Sequence, residues 1–168
     1  MMEPLLLWIL VGLLVLLIVV PFLIGLMLSP YQRATRVELV KAPIDATWGA
    51  LSDLSRQTEW RTDLKSVQLK DDDEGMRWIE SLAHGGKVTV RKQKEVPNKE
   101  IIVQLSKGAQ VIGTREAALS AVPGGTRITF TETAVTKNPW QRLSMHMGAK
   151  LDKHLQSYIL QFKARFAR

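Results

Sequence analysis

The sequence predicts an α+β domain that follows a single membrane-spanning helix. Residues 5–28 form an uncharged, apolar run of 24 residues. The middle of the chain consists of short segments that alternate apolar and polar residues, separated by turns rich in glycine and proline. The C-terminal part places apolar residues three or four positions apart, which is the period of an amphipathic helix.

The apolar run is long enough to cross a bilayer. As a helix it would span about 36 Å, whereas the hydrocarbon core is roughly 30 Å thick. A cleaved secretory signal is the alternative. However, no lysine or arginine precedes the run, the run exceeds a usual signal core, and no small-x-small cleavage site follows Leu28. We therefore expect residues 1–30 to form a retained transmembrane anchor.

The charges beside the run predict its orientation. Glu3 is the only charged side chain before it, whereas Arg33, Arg36 and Lys41 follow it closely. Because positively charged flanks stay on the cytoplasmic side, we expect a single-pass protein of the inner (cytoplasmic) membrane with its C-terminal domain in the cytoplasm. The absence of cysteine excludes a disulfide framework and thiolate chemistry.

Residues 31–168 are basic. The whole chain carries a net charge of +7, and this part carries +8 because the negative Glu3 lies outside it. A basic surface beside a membrane should attract anionic lipid head groups, by about 1 kcal/mol for each Lys or Arg near the surface. We expect the lipid bilayer to be a partner. Nucleic acid is not expected, because no recognised binding motif is present.

The folded part begins with a strand over residues 37–41. A helix over residues 46–51 follows, with Asp45 as its N-cap, and a second short helical segment covers residues 55–59. Short turns then join six further strands, which predicts an antiparallel meander. These strands are residues 64–70, 76–83, 87–96, 100–105, 110–122 and 126–135.

A long helix is predicted to close the chain. Asn138 and Pro139 are typical N-cap and N1 residues, and the helix should continue for about 29 residues, roughly 43 Å, toward Arg168. A small sheet can cover such a helix only by wrapping around it. The apolar stripe of this helix is Trp140, Leu143, Met147, Leu151, Leu155, Tyr158, Phe162 and Phe166.

This order of elements resembles the START-like, or polyketide cyclase/dehydrase-like, superfamily (SRPBCC). The resemblance implies a helix-grip fold over residues 31–168, in which a seven-stranded curved antiparallel sheet wraps around a long C-terminal helix. The motifs that carry it are Lys41-Ala-Pro-Ile-Asp-Ala-Thr-Trp48 with Leu51-Ser-Asp53, Glu59-Trp-Arg-Thr-Asp63 with Ser66-Val-Gln-Leu69, Arg77-Trp-Ile-Glu80, Gly124-Gly-Thr-Arg-Ile-Thr-Phe130, and Thr131-Glu-Thr133 before Lys137-Asn-Pro-Trp140.

The resemblance also implies a cavity between sheet and helix, which this superfamily uses to hold sterols, lipids, polyketides or other apolar molecules. Relatives often carry glycine and aromatic residues on the strand before the last hairpin. This chain has Val111-Ile-Gly-Thr-Arg-Glu116 there, so a ligand preference does not transfer. We expect an apolar small molecule or lipid as partner and no cofactor.

Turn geometry predicts which side chains face the cavity. If Pro123-Gly-Gly-Thr126 closes the last hairpin with a two-residue turn, the cross-strand pairs follow directly. These pairs are Ala121 with Ile128, Leu119 with Phe130, Ala117 with Glu132, and Arg115 with Ala134. The expected ligand-binding residues are Trp78, Glu80, Arg115, Ala117, Leu119, Phe130, Glu132, Met147 and Leu151.

Two charges, on Arg115 and Glu132, then lie on an apolar face. Burying either charge alone is costly, so they are either a structural ion pair or a polar handle for the head group of a ligand. Glu80, close to Trp78, allows the same two interpretations. We expect no metal site, because His146 and His154 lack a carboxylate or cysteine at ligand spacing.

Three functions remain open. The first is a membrane-anchored binding or carrier domain for an apolar small molecule or lipid. The second is an enzyme of the cyclase or dehydratase kind, with Glu132, Arg115 or Glu80 as acid, base or polariser, although the mapped inner strands carry no histidine or tyrosine. The third is a ligand-free interaction scaffold at the membrane. No catalytic residue is assigned.

The charge flanks generate a topology prediction. A C-terminal alkaline phosphatase fusion should be inactive, because the domain is expected to stay in the cytoplasm. An active phosphatase fusion, or a mature protein that begins after Leu28, would contradict this orientation.

Overall fold

The structure, a computed structural model, describes residues 4–167. Glu3, the predicted acidic flank, and Arg168, the predicted end of the last helix, lie outside the described residues. These residues fold as two compact units: residues 4–31 with Thr136–Lys150, and Gln32–Val135 with residues 151–167. The elements are α1 (Pro4–Met27), β1 (Tyr31–Val40), α2 (Ile44–Ser52), the 3₁₀ helix η1 (Leu54–Glu59), β2 (Leu64–Lys70), β3 (Arg77–Leu82), β4 (Lys87–Val96), β5 (Glu100–Lys107), β6 (Gln110–Val122), β7 (Gly125–Val135), α3 (Pro139–Gly148) and α4 (Lys150–Arg165).

In the first unit, α1 is an apolar helix with exposed side chains. Its exposed large hydrophobic side chains range from 38% exposure at Phe22 to 88% at Met27, and Gly25 is its buried residue. A core helix would instead bury one apolar stripe. By length and composition, α1 is able to cross a membrane.

α3 packs against the last turns of α1. The rings of Phe22 and Trp140 have centroids 6.1 Å apart. A Cβ atom added at Gly25 would collide with the carbonyl group of Pro139. Glycine at position 25 therefore allows the two helix backbones to approach closely.

Polar contacts fix the start of α3. As predicted, Asn138 is the N-cap, and its side chain accepts a hydrogen bond from the backbone N–H of Trp140 at 2.9 Å. Arg142 donates to the backbone carbonyls of Thr136 at 2.8 Å and Leu28 at 3.4 Å. The second bond satisfies a carbonyl just beyond the end of α1, where a helix leaves carbonyls without partners and where a cation is favourable.

The second unit confirms the predicted fold class. Within residues 4–167 the seven strands form one sheet in the order β1-β7-β6-β5-β4-β3-β2. Each consecutive pair from β2 to β7 is antiparallel, as the short turns predict. These six strands begin and end within two residues of their predicted bounds, whereas β1 begins six residues early, at Tyr31.

α2 and η1 occupy the two predicted helical segments, but Asp45 is not an N-cap. α2 begins at Ile44 after Pro43, and no side chain caps it. The Asp45 carboxylate instead accepts a hydrogen bond from the Asn98 amide at 2.6 Å. The helix start is therefore fixed by proline geometry and by this contact to the β4–β5 turn.

The predicted continuous C-terminal helix is wrong in one respect, because it is broken at Ala149. This residue has φ of +45°, in the left-handed region that ends helices, so α3 and α4 are separate. The apolar spacing continues through the break, which is why periodicity alone predicts one helix. Met147 consequently belongs to the first unit and not to the second unit, which contains the sheet and α4.

The last hairpin is two residues out of the predicted register. Val122 pairs with Gly125, so Pro123 and Gly124 form the turn. Gly124 has φ of +88°, and proline followed by a residue with positive φ fits a type II turn. A shift of two leaves each side chain on its predicted face but changes its partner. The observed pairs are Ala121 with Thr126, Leu119 with Ile128, Ala117 with Phe130, and Arg115 with Glu132.

Aromatic side chains fill much of the space between the sheet and α4. Phe130 and Phe162 have no exposed surface, and their centroids lie 5.8 Å apart in an edge-on arrangement. Trp60, which follows η1, meets both Tyr158 and Phe162 at 5.2 Å. Each such pair typically adds about 0.5–1.5 kcal/mol beyond area burial, and together they fix α4 on the sheet.

The helix break can be tested by substitution. Ala149→Gly should raise the free energy of unfolding by about 1 kcal/mol, because glycine adopts positive φ without a Cβ clash. Gln156→Gly, at an exposed position in the middle of α4, should lower it by about 1 kcal/mol. Denaturant unfolding of the full chain in detergent measures both. A continuous helix would instead make both substitutions destabilising.

Candidate functional site

The alternation of β6 and β7 builds the buried face of the sheet. On β6 the residues Arg115, Ala117 and Leu119 are buried, and their neighbours in sequence are more exposed. They lie opposite Glu132, Phe130 and Ile128 of β7, which are also buried. Because side chains alternate between faces of a strand, one charged pair is carried onto an otherwise apolar surface.

A small cavity lies between this face and the elements that cover it. Its volume is about 20 Å³, which is space for roughly one water molecule. The strands β3 to β6 supply one wall, α2 and η1 a second, and α4 a third. The lining residues are Leu51, Leu54, Gln57, Glu80, Val90, Ile101, Val103, Arg115, Ala117 and Tyr158.

Arg115 is one of four polar residues in the cavity lining, with Gln57, Glu80 and Tyr158. Arg115 is 8% exposed, and its Nη2 donates to Glu132 Oε1 at 3.2 Å. The guanidinium carbon lies 4.2 Å from the centroid of the Tyr158 ring. Its buried Nε atom has no hydrogen-bond partner within residues 4–167. A buried unpaired donor typically costs about 1–3 kcal/mol.

Glu132 links the buried arginine to the surface. Its Oε2 lies 3.1 Å from Nδ1 of His154, a residue of α4 whose side chain is 54% exposed. Burial opposes ionisation of Glu132, but the charge of Arg115 and the contact with His154 outweigh it and lower the pKa to about 2. Burial likewise disfavours the charged form of Arg115, yet the carboxylates around it raise its pKa overall. The pair is therefore ionised at neutral pH.

A second buried arginine lies near the same tyrosine. Arg61 is 3% exposed and donates to Glu80 at 2.8 Å, to Gln57 at 3.0 Å and to both oxygens of Asp63. Desolvation works against the charge of Asp63, but the bonds from Arg61 lower its pKa. For Tyr158, burial is the main effect and raises the pKa despite both cations.

The structure brings together most of the sequence-predicted site residues. Three line the cavity and three others lie buried on the same face of β6 and β7. The first three are Glu80, Arg115 and Ala117, and the others are Leu119, Phe130 and Glu132. Ligand binding by these residues stays a prediction.

The remaining three predicted residues neither line the cavity nor belong to β6 or β7. Trp78 is buried, but its indole N–H donates to Ser55 of η1 at 3.0 Å, as expected of a packing residue. Leu151 is partly buried against the core. Met147 is 81% exposed on α3, which belongs to the first unit, so its place in the predicted ligand site stays a prediction.

Sequence reasoning missed three sets of residues at this site. The wall made by α2 and η1 contributes Leu51, Leu54 and Gln57, whose short segments carry no period long enough to orient them. Tyr158 was placed in the apolar stripe, but its position under Arg115 depends on tertiary packing. Arg61 follows Trp60 in a segment without alternation, so no pattern indicated its burial.

Comparison with known proteins identifies the family. The family model described as "Polyketide cyclase / dehydrase and lipid transport" matches residues 31–166. The chain belongs to this family. The family resemblance found in the sequence is thereby confirmed. A search of curated proteins found no match.

Solved structures agree with this family at the level of the fold. The Zhui aromatase/cyclase from Streptomyces sp. R1128 superposes with a TM-score of 0.67 at 14% identity, over 82% of this chain and 94% of that one. The di-domain aromatase/cyclase StfQ of the steffimycin biosynthetic pathway gives 0.62 at 11% identity over 82% of this chain, which spans only 50% of that protein. An uncharacterised protein from Rhizobium leguminosarum gives 0.55 at 22% identity, over 80% of this chain and 94% of that one.

The buried pair predicts the acid response of this family member. Glu132 has an ordinary pKa of 4.5 and a folded pKa of about 2, so its contribution, about 3 kcal/mol, is complete above pH 4.5 and is lost as the pH falls toward 2. Glu132→Gln should lower the free energy of unfolding by about 3 kcal/mol at pH 7, because it leaves Arg115 unpaired. The difference from wild type should shrink as the pH approaches 2.

The matched control is Glu116→Gln, the neighbour of Arg115 on the opposite face of β6. It should change the free energy of unfolding by less than about 0.5 kcal/mol at any pH. Chemical unfolding between pH 2 and pH 7 measures both variants. A pH-independent difference between wild type and Glu132→Gln would contradict the assignment.

Proposed function

We propose that the protein is a membrane-anchored binding domain for an apolar small molecule or lipid that carries a hydrogen-bond acceptor. The observation that carries this proposal is the unpaired Nε of Arg115, which is buried in the wall of a mostly apolar cavity. Ligand sites typically combine apolar walls with a few placed polar groups. A carboxylate, carbonyl or hydroxyl oxygen of a ligand would satisfy this donor.

The ligand-bound state must be more open than the described one. A cavity of about 20 Å³ is far below the roughly 300–1,000 Å³ of ligand pockets. The strands of the sheet are held by continuous hydrogen bonding, whereas α2 and η1 are short. Movement of this helical wall is therefore the route by which space would be made.

Anchoring by α1 is the second part of the proposal. Its 24 residues would cross a hydrocarbon core of roughly 30 Å, and its exposed apolar side chains suit lipid. Arg33, Arg36 and Lys41 favour the cytoplasmic side for the residues after it. A lipid ligand could then exchange with the membrane beside which the domain is held.

An enzymatic role has weaker support. General acids and bases act best with a pKa near the working pH, but the pKa of Glu132 is lowered to about 2. Glu80 is committed to the buried guanidinium of Arg61. Glu132 and Glu80, the carboxylates considered as acid or base, are therefore both engaged in ion pairs with buried arginines.

The ligand-free scaffold remains the second candidate, because one observation favours it. The aromatic residues around Phe130 and Tyr158 leave a cavity of only about 20 Å³. A fold used only as a scaffold would need no larger one. Ligand uptake separates the two functions.

The test uses full-length protein in lipid nanodiscs and a fluorescent fatty acid as probe. Wild type should bind it, and Arg115→Met should weaken binding by about tenfold or more, because a charge-assisted bond is lost. Arg127→Met is the control: it also removes an arginine, but one that is exposed on β7 and outside the cavity lining, and it should retain uptake.

A second variant distinguishes loss of the binding site from loss of the fold. Ala117→Leu keeps the charges and narrows the cavity, so it should reduce uptake while circular dichroism stays unchanged. Failure of wild type to take up the probe, with no lipid co-purifying by mass spectrometry, would leave the scaffold as the function.

A further inference from the structure

α3 carries an apolar face that the structure leaves open. Trp140, Leu143 and Met147 are spaced three and four residues apart, so they share one side of this helix. Trp140 is 43% and Met147 81% exposed, although both are large hydrophobic side chains. None of the ten residues of α3 is buried. A short helix with such a face needs a partner surface.

The position of α3 on α1 indicates the partner. Trp140 contacts Phe22, which precedes the end of α1 by five residues, or about 7.5 Å along the helix axis. Pro139 lies against Gly25, closer to that end. The apolar face of α3 is therefore continuous with the apolar surface of α1, at the last turns of the helix proposed to span the membrane.

The charges of this segment point the same way. Residues 136–150 contain Lys137, Arg142 and Lys150 and no acidic residue. Arg142 donates to the carbonyl of Leu28, just after α1. Cations at the end of a membrane helix face the level of the lipid phosphates, so a bilayer surface matches both the apolar face and the charge.

We propose that α3 is an interfacial membrane helix, lying at the boundary between head groups and acyl chains with Trp140, Leu143 and Met147 in the apolar layer. Amphipathic helices with tryptophan and basic residues occupy this layer, inserted by about 5–10 Å. The partner is the lipid bilayer. The proposal rests on the anchoring role of α1. The proposal extends that role, because the protein then contacts the membrane through a spanning helix, α1, and through a second helix, α3, that lies parallel to the membrane surface.

This placement also gives the end of α3 a physical reason. A helix that meets lipid and a helix that completes a folded core need different surfaces, and a break between them lets each be formed separately. The left-handed residue Ala149 ends α3 after ten residues, about 15 Å. The segment that meets lipid is therefore separate from the segment that completes the folded core.

The absence of cysteine makes a direct test available. Met147→Cys, Gln141→Cys and Leu16→Cys are each labelled with the fluorophore NBD in the full chain. The proteins are reconstituted in vesicles of phosphatidylcholine and phosphatidylglycerol. Gln141 is the matched control because it is exposed on another side of α3, and Leu16 reports on the span. Quenching by aqueous iodide and by lipids with a spin label at acyl carbon 5 locates each label.

The label at position 147 should emit at shorter wavelength than the label at position 141, and the spin-labelled lipid should quench it. Its accessibility to iodide should be lower than that of the label at 141 by a factor of about three or more, as expected for the apolar side of an interfacial helix. The label at position 16 should be shielded from iodide. Equal iodide accessibility at 147 and 141, with 16 shielded, overturns the interfacial helix and leaves the anchor. Exposure of all three sites overturns the anchor itself.

A protein partner on α3 gives a different result. The label at 147 would then be shielded from iodide without being quenched by the spin-labelled lipid, and this outcome also overturns the proposal. Met147→Asp is a second variant, measured without a label at 147. With NBD at Trp140→Cys in the same chain, it should raise iodide accessibility at 140, because a charge in the apolar layer draws the helix outward.

Discussion

The buried face of the sheet is organised by the need to pair two guanidinium groups away from water. Arg61 is 3% and Arg115 8% exposed, and a cation so buried is tolerated only with a close partner. Glu80 of β3 meets the first and Glu132 of β7 the second. Both guanidinium groups also lie over the ring of Tyr158, at 5.5 Å and 4.2 Å. The two ion pairs thus tie distant strands and α4 to one point, and the aromatic core packs around it.

The ion pairs of Arg61 and Arg115 also restrict which part of the helical cavity wall, formed by α2 and η1, is free to move. Arg61 donates to Gln57 at 3.0 Å, so the middle of η1 is fixed to the charged cluster. The bond from Gln57 to the carbonyl of Leu51 is longer, at 3.4 Å, and Leu51 and Leu54 otherwise contribute apolar packing. Apolar contacts have no preferred direction, so the end of α2 can shift at lower cost than η1. The end of α2 is therefore the part of the wall that the proposed ligand-bound state would displace.

Much of this architecture could be predicted from the sequence, because alternation and turn residues determine strands locally. Arg115, Ala117, Leu119, Ile128, Phe130 and Glu132 are all buried, as the predicted inner face requires, even though the hairpin register was wrong by two, since parity alone decides the face. At the end of β6, Ala121 is exposed although it was predicted on the same face. The break at Ala149 escaped prediction, because no glycine or proline occupies that position and the apolar spacing continues across it. Arg61 escaped for a related reason: its burial is fixed by Asp63, Glu80 and η1 together, and no local pattern encodes a contact among three elements.

The charged cluster is also what distinguishes this core from one built for stability alone. Replacing a buried ion pair by apolar residues of similar volume is often neutral or stabilising, and here Phe130, Ala117 and their neighbours already supply apolar packing. The chain instead keeps Arg115 in the cavity wall with an unpaired Nε, although an unsatisfied donor weakens the closed state. Departures from the rules of core packing concentrate at functional sites. In the proposed binding function an oxygen atom of the ligand would accept a hydrogen bond from this donor, which is why the proposal rests on Arg115 and not on the apolar part of the cavity wall.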